Sequence, residues 1–188
     1  MSHQYQDIIF LFNKTFSQAY NTRLIKGDEE PIYTPASDDC HFHQIVFAHG
    51  YFASALHEIS HWCYAGEKRR LLEDYGYWYA PDGRNEQEQE KFEDVEVIPQ
   101  AIEWAFNVAT DKTFNVSIDN LSGAETDVTP FKTKVYQQVI SYLESGFPAR
   151  AALFIDVLAS FYRIELPLTR EHFINNNPSM VEHLNAQI

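Results

Sequence analysis

His49-Gly50-Tyr51-Phe52-Ala53-Ser54-Ala55-Leu56-His57-Glu58-Ile59-Ser60-His61-Trp62 is the stretch on which the reading of this chain turns. It contains H-E-x-x-H, two histidines four residues apart with a glutamate after the first. On an α-helix, residues i and i+4 stand one above the other, so His57 and His61 can direct both imidazoles at a single ion. Glu58 lies about 100° round the helix from His57 and borders the open side of that ion. Phe52, Ala53, Ala55, Leu56, Ile59 and Trp62 are apolar, which predicts a buried helix holding both rings rigidly. Histidine is frequent here, eight in 188 residues, so a chance match and two core histidines satisfied by backbone carbonyls is the plain alternative. The setting favours a metal site: the motif lies in an apolar helical pattern, after a predicted strand and before a carboxylate-rich segment.

Working outward, residues 4–20 place Tyr5, Ile8, Leu11, Phe12, Phe16 and Ala19 at three- and four-residue steps, an amphipathic helix. Short extended pieces at Leu24-Ile25 and Ile32-Tyr33, near Pro31 and Pro35, read as edge strands. Residues 41–48 read as a further strand, and Gly50 turns the chain into the motif helix, which ends near Gly66. Four aromatics between Tyr75 and Tyr79, closed by Pro81-Asp82-Gly83, form either a cap on the core or a wall of a substrate cleft. From Asn85 the pattern is helical and acidic. Pro99 predicts a kink or two abutting helices there. Phe114 to Asp119 alternates and reads as a strand. Helices follow at 130–144 and 148–162, then polar ends from Leu166 with a short helix near Met180.

Composition bounds the function. A formal charge of −13 and a pI near 4.9 argue against a general nucleic-acid binder, since phosphates would be repelled. No apolar run approaches a membrane span, the start lacks a basic leader, and Cys40 and Cys63 read as free thiols, so a cytoplasmic protein is expected. The chain, 1–188, reads as one α+β domain, a small mixed sheet surrounded by helices.

Two histidines need a third ligand that leaves positions open for substrate or water. Glu93, Glu96, Gln100 and Glu103 share one face of the acidic helix at i, i+3, i+7 and i+10. Glu96, flanked by Val95 and Val97, which are expected to be buried, is selected, with Glu93 and then Glu103 as alternatives. Glu86, Glu88 and Glu90 read as a solvated face. His49, at the mouth of the turn, is a ligand, a substrate contact or a turn residue. The ligand chemistry leaves two enzymes open: a zinc hydrolase, with Glu58 as catalytic base, or a ferrous oxygenase. On the motif alone the zinc peptidase leads.

Beyond the motif, residues 49–63, then Asp74-Tyr75-Gly76-Tyr77-Trp78-Tyr79 with Pro81-Asp82-Gly83-Arg84, and Phe92-Glu93-Asp94-Val95-Glu96-Val97-Ile98-Pro99-Gln100-Ala101-Ile102-Glu103-Trp104 resemble the bacterial elongation factor P hydroxylase family. The resemblance implies hydroxylation of a lysine of elongation factor P after a β-lysyl group has been attached to it. It implies a non-haem Fe(II) site of two histidines and one carboxylate, with O2 as co-substrate, and a fold related to a metal-dependent endoribonuclease family. His57 and His61 fit the histidines, and Glu96 is the carboxylate chosen from its segment. Glu58 then lies behind the ligands or binds the substrate ammonium. The family's partner is itself acidic, so Arg69, Arg70 and Arg84 are expected to supply a basic docking patch.

Overall fold

The computed structural model describes residues 3–74, 83–118, 120 and 127–182. Helix α1, Tyr5–Tyr20, buries Ile8, Leu11, Phe12 and Phe16 and ends at Asn21, whose φ of 49° stops the helix. A three-stranded mixed sheet follows. Strand β1 (Thr22–Lys26) pairs in parallel with β3 (His43–Phe47), and β2 (Ile32–Thr34) pairs antiparallel to the other side of β3. The order β1-β3-β2 puts the two pieces near Gly27, Pro31 and Pro35 at the edges, as the sequence predicts.

Two successive left-handed residues, His49 (φ 54°) and Gly50 (φ 72°), turn β3 into helix α2, Phe52–Tyr64. A Cβ on Gly50 would meet Lys26 Cε at 2.9 Å, so glycine suits both the turn and the packing. The far end of α2 is tied down by Arg150, whose guanidinium donates to the carbonyls of Trp62, Cys63 and Ala65 and lies 4.7 Å from the Trp62 ring centroid. Helix α3, Glu86–Ala109, starts at a capping box: Asn85 Oδ1 accepts from the Glu88 N–H and Glu88 returns the bond to the Asn85 N–H. It continues through Pro99 as one helix rather than two.

Helices α4 (Thr129–Ser145), α5 (Ala149–Tyr162) and α6 (Arg170–Asn176) complete the described helices, with 3-10 turns at Arg69–Leu71 and Pro178–Met180. One continuous core joins the sheet to α1, α2, α3, α4 and α5, centred on Phe12, Phe16, Trp62, Trp104, Phe106 and Phe154. The architecture is α+β, as expected. No described helix is long and apolar enough to cross a membrane.

Three expectations are corrected. Phe114–Ile118 forms no strand, and Asp119 lies outside the described residues. Its backbone is claimed by side chains instead. Gln100 Oε1 accepts from the Ser117 N–H (3.0 Å) and its Nε2 donates to the Ser117 carbonyl (2.7 Å). Asn176 Oδ1 accepts from the Phe114 N–H (3.1 Å), and Asn177 Nδ2 donates to the Phe114 carbonyl (2.6 Å). Second, the polar stretch after Leu166 holds α6, capped by Thr169 and His172 and anchored by buried Phe173. Third, Arg84 is 1 % exposed. Its guanidinium lies 3.8 Å from the Phe92 ring centroid and donates to Gln89 and the Ile118 carbonyl, so it cannot serve a docking patch. The aromatic run Tyr75–Tyr79 and Pro81-Asp82 fall outside the described residues.

Asn176 also accepts from Trp104 Nε1 and donates to the Lys112 carbonyl, so one side chain joins α3 to the segment that follows it. Asn176→Ala strands these partners, and urea unfolding is expected to show a stability loss of about 1–3 kcal/mol at unchanged slope.

Candidate metal centre

Helix α2 packs on α3, and polar side chains of both helices meet there. His57 Nε2 and His61 Nε2 lie 3.1 Å apart. Glu96 of α3 reaches both, with Oε1 at 3.3 Å from His61 Nε2 and Oε2 at 3.8 Å from His57 Nε2. One ligand atom from each of His57, His61 and Glu96 falls within 4.8 Å of the others, a cluster that could hold a metal ion. Two imidazole nitrogens and a carboxylate oxygen on one side suit zinc or ferrous iron and leave other positions open.

Both flanks of this cluster are held. Glu103 Oε2 accepts from His57 Nδ1 at 2.9 Å, which fixes the tautomer and leaves Nε2 as the coordinating nitrogen. Gln100 Nε2 donates to Glu96 Oε2 at 3.3 Å, while its other end is fixed by Ser117. The three glutamates of the shared face therefore part company. Glu96 faces the histidines, and Glu103 lies behind His57. Glu93 accepts from Gln89 Nε2 in the network that runs to Arg84. Val95, expected to be buried beside Glu96, is 48 % exposed. That a second glutamate of this face orients a histidine follows from the shared spacing, and Glu103 is that residue; the hold of Gln100 on Glu96 is not foreseen by it. Gln100 and Glu103 stand four and seven residues from Glu96, and Gln100 is the uncharged member of that face.

A cavity of about 480 Å³ opens on this cluster. His61, Glu96 and Glu58 line it, with Tyr33, Trp62 and Tyr64 among its walls and Arg69 and Arg70 also on its lining. Tyr33 is steadied by its hydroxyl donating to the Arg70 carbonyl and by stacking on His43. Arg69 is ion-paired with Asp74 at 2.7–2.8 Å, and Arg70 donates to the Ala65 carbonyl. The Glu58 carboxylate makes no hydrogen bond among the described residues. His49 is exposed in its turn, outside the cluster, and Cys63 is buried with its thiol pushed up in pKa by burial.

The charges are strongly coupled. Burial pushes the His57 pKa down, but Glu103, Glu96 and Glu58 more than offset it and hold it at about 10. His61 is opposed by burial and raised chiefly by Glu96. With the two Nε2 atoms in hydrogen-bond contact one ring must accept, so the pair shares one proton between them. Burial opposes the Glu96 carboxylate, yet His61 and His57 lower its pKa to about 2. Burial raises that of Glu58.

The comparisons with known proteins define the class first. The profile of the elongation factor P hydroxylase family matches residues 11–173. The chain belongs to that family, and it is an enzyme of the hydroxylase, hence oxidoreductase, class. A relative from Haemophilus influenzae, elongation factor P lysine hydroxylase, is 52% identical over 165 residues, which cover 88% of this chain and 93% of that protein.

The pairing dictates a pH dependence for the ion-free protein. The folded pKa of His57, about 10 against an ordinary 6.5, gives stabilisation that is complete below pH 6.5 and lost as pH rises through 10. That of Glu96, about 2 against 4.5, gives stabilisation complete above pH 4.5 and lost as pH falls through 2. Chelator-treated protein should therefore show a lower urea midpoint at pH 9 than at pH 6, and His57→Gln should shrink that difference.

Proposed function

We propose that this chain hydroxylates a lysyl side chain of elongation factor P in its β-lysylated form, using O2 and a ferrous ion held by His57, His61 and Glu96. The observation that carries the reading is the convergence of those three side chains beside an open cavity in a member of this family. Zinc fits the same donors, but bound ferrous iron supplies the redox chemistry with O2 that oxidation of an unactivated C–H bond requires and zinc lacks. The zinc hydrolase reading gives way on that ground, since the family's chemistry is hydroxylation.

The chain's own groups do the rest. Glu103 holds the His57 Nδ1 proton, so Nε2 offers its lone pair to the ion. Gln100 holds Glu96 Oε2, which leaves Oε1, nearer His61, the less encumbered oxygen. Glu58 is the catalytic residue in the sense that its carboxylate meets the substrate. When ionised, Glu58, Glu96 and Glu103 together outweigh a doubly charged ion by one unit if the imidazoles are neutral. A centre with that excess favours a cationic side chain in the cavity. Tyr33, Trp62 and Tyr64 offer apolar and aromatic surface for an alkyl stem. The partner is a protein acting in translation, which places the reaction in the cytoplasm.

Intact mass of β-lysylated elongation factor P tests the reading. Incubation with ferrous iron and air should add one oxygen atom, and His57→Ala or Glu96→Ala should abolish the gain. No gain with intact, iron-loaded protein would return the hydrolase reading. The supporting residues are tested by equilibrium dialysis: Glu103→Ala and Gln100→Leu should each weaken divalent-ion binding about 10- to 100-fold.

A further inference from the structure

The 3-10 turn Arg69–Leu71 follows α2 and buries none of its side chains. Leucine is among the residues most often buried, yet Leu71 is 68 % and Leu72 58 % exposed. Main-chain and polar contacts hold the turn instead. Tyr33 and Asp74 exchange both backbone hydrogen bonds, at 2.7 and 3.0 Å, and the Tyr33 hydroxyl donates to the Arg70 carbonyl at 2.8 Å. Arg70 Nη1 donates to the Ala65 carbonyl, and the Leu72 N–H donates to the Arg69 carbonyl. Both leucines are thus displayed by a segment that other groups anchor. Their place is informative. Arg69, Arg70 and Asp74 line the cavity, so Leu71 and Leu72 belong to the segment that forms its wall. Tyr64 of α2 and Val95 of α3 line the cavity and are also 53 % and 48 % exposed, which puts them where it opens to solvent. Single exposed apolar side chains are ordinary, but four of them about one opening mark a contact surface.

The occupant follows from the reaction. A lysyl side chain that enters the cavity stays tethered to a folded protein, so the surface around that lysine is pressed against the mouth. We propose that Tyr64, Leu71, Leu72 and Val95 form an apolar rim on which the body of elongation factor P docks, outside the cavity and whatever its lysine carries. This rests on the hydroxylase reading above and adds the partner's surface to it: an apolar patch beside the modified lysine. Four side chains are few against the roughly 20–30 residues a side of a lasting complex, which suits a substrate that must leave after each turnover. The turn is already ordered by its anchors, so little conformational freedom is lost on docking.

Calorimetry tests it, with iron-loaded protein held anaerobic and titrated with β-lysylated or with unmodified elongation factor P. The double variant Leu71→Ser/Leu72→Ser removes the two displayed groups and leaves the core and the cavity lining intact. Its Kd should rise about tenfold, and by the same factor for both forms, because the rim meets the body of the partner rather than the modified side chain. In air, KM for the β-lysylated form should rise by that factor, while kcat, Co(II) affinity and the melting temperature stay at their wild-type values. Three results overturn the rim: unmodified elongation factor P that does not bind wild type, an unchanged Kd in the variant, or a rise confined to the β-lysylated form. In each of these, a wild type that still adds one oxygen atom leaves the hydroxylase reading standing. A wild type that binds both forms through the rim and adds no oxygen overturns that reading instead.

Discussion

Carboxylates are hard to bury, and α3 buries Glu93, Glu96 and Glu103 on one face. Each unpaired charge there would cost several kcal/mol, so the surroundings of α3 are arranged to supply partners. His57 and His61 come from α2, and Gln89 and Gln100 from α3 itself, with Gln89 held in turn by Arg84. The packing of α2 on α3 is thereby specified by charge as well as by shape. An ion bound between Glu96 and the histidines replaces the shared proton with a stronger positive charge, so the same contact that holds the helices together prepares the site.

The polar face extends beyond the ligands. Gln100 reads Ser117 with both ends of its amide, and Asn176 and Asn177 hold Phe114 from the C-terminal side. An irregular segment is in this way built into the wall behind Glu96 without a partner strand. Such amide clamps satisfy buried backbone groups at fixed positions and leave no edge exposed for pairing with another chain.

Much of this was legible before any coordinates. The four-residue step of His57 and His61, the strand-to-helix turn at Gly50 and the edge placement of the two short strands follow from local spacing and turn chemistry. The choice among Glu93, Glu96 and Glu103 did not, since all three occupy one helical face and only the packing of α2 separates them. Glu96 was selected partly on a burial of Val95 that the structure does not have. The alternation at Phe114–Ile118 satisfied a strand pattern, but no pattern reveals that asparagine and glutamine side chains will take the backbone. Helix α6 is too short to show a periodic pattern, since only Phe173 and the partly buried Ile174 of its seven residues are apolar.

The turn at His49-Gly50 has a consequence for how this site can vary. Because the two left-handed residues fix where α2 begins, they also fix its rotational phase relative to α3. One residue added or removed between Gly50 and His57 turns both imidazoles by about 100° and carries them off the carboxylate face together. The six residues from Tyr51 to Leu56 therefore act as a ruler: their identities are open to exchange within the limits of packing, while their number is not.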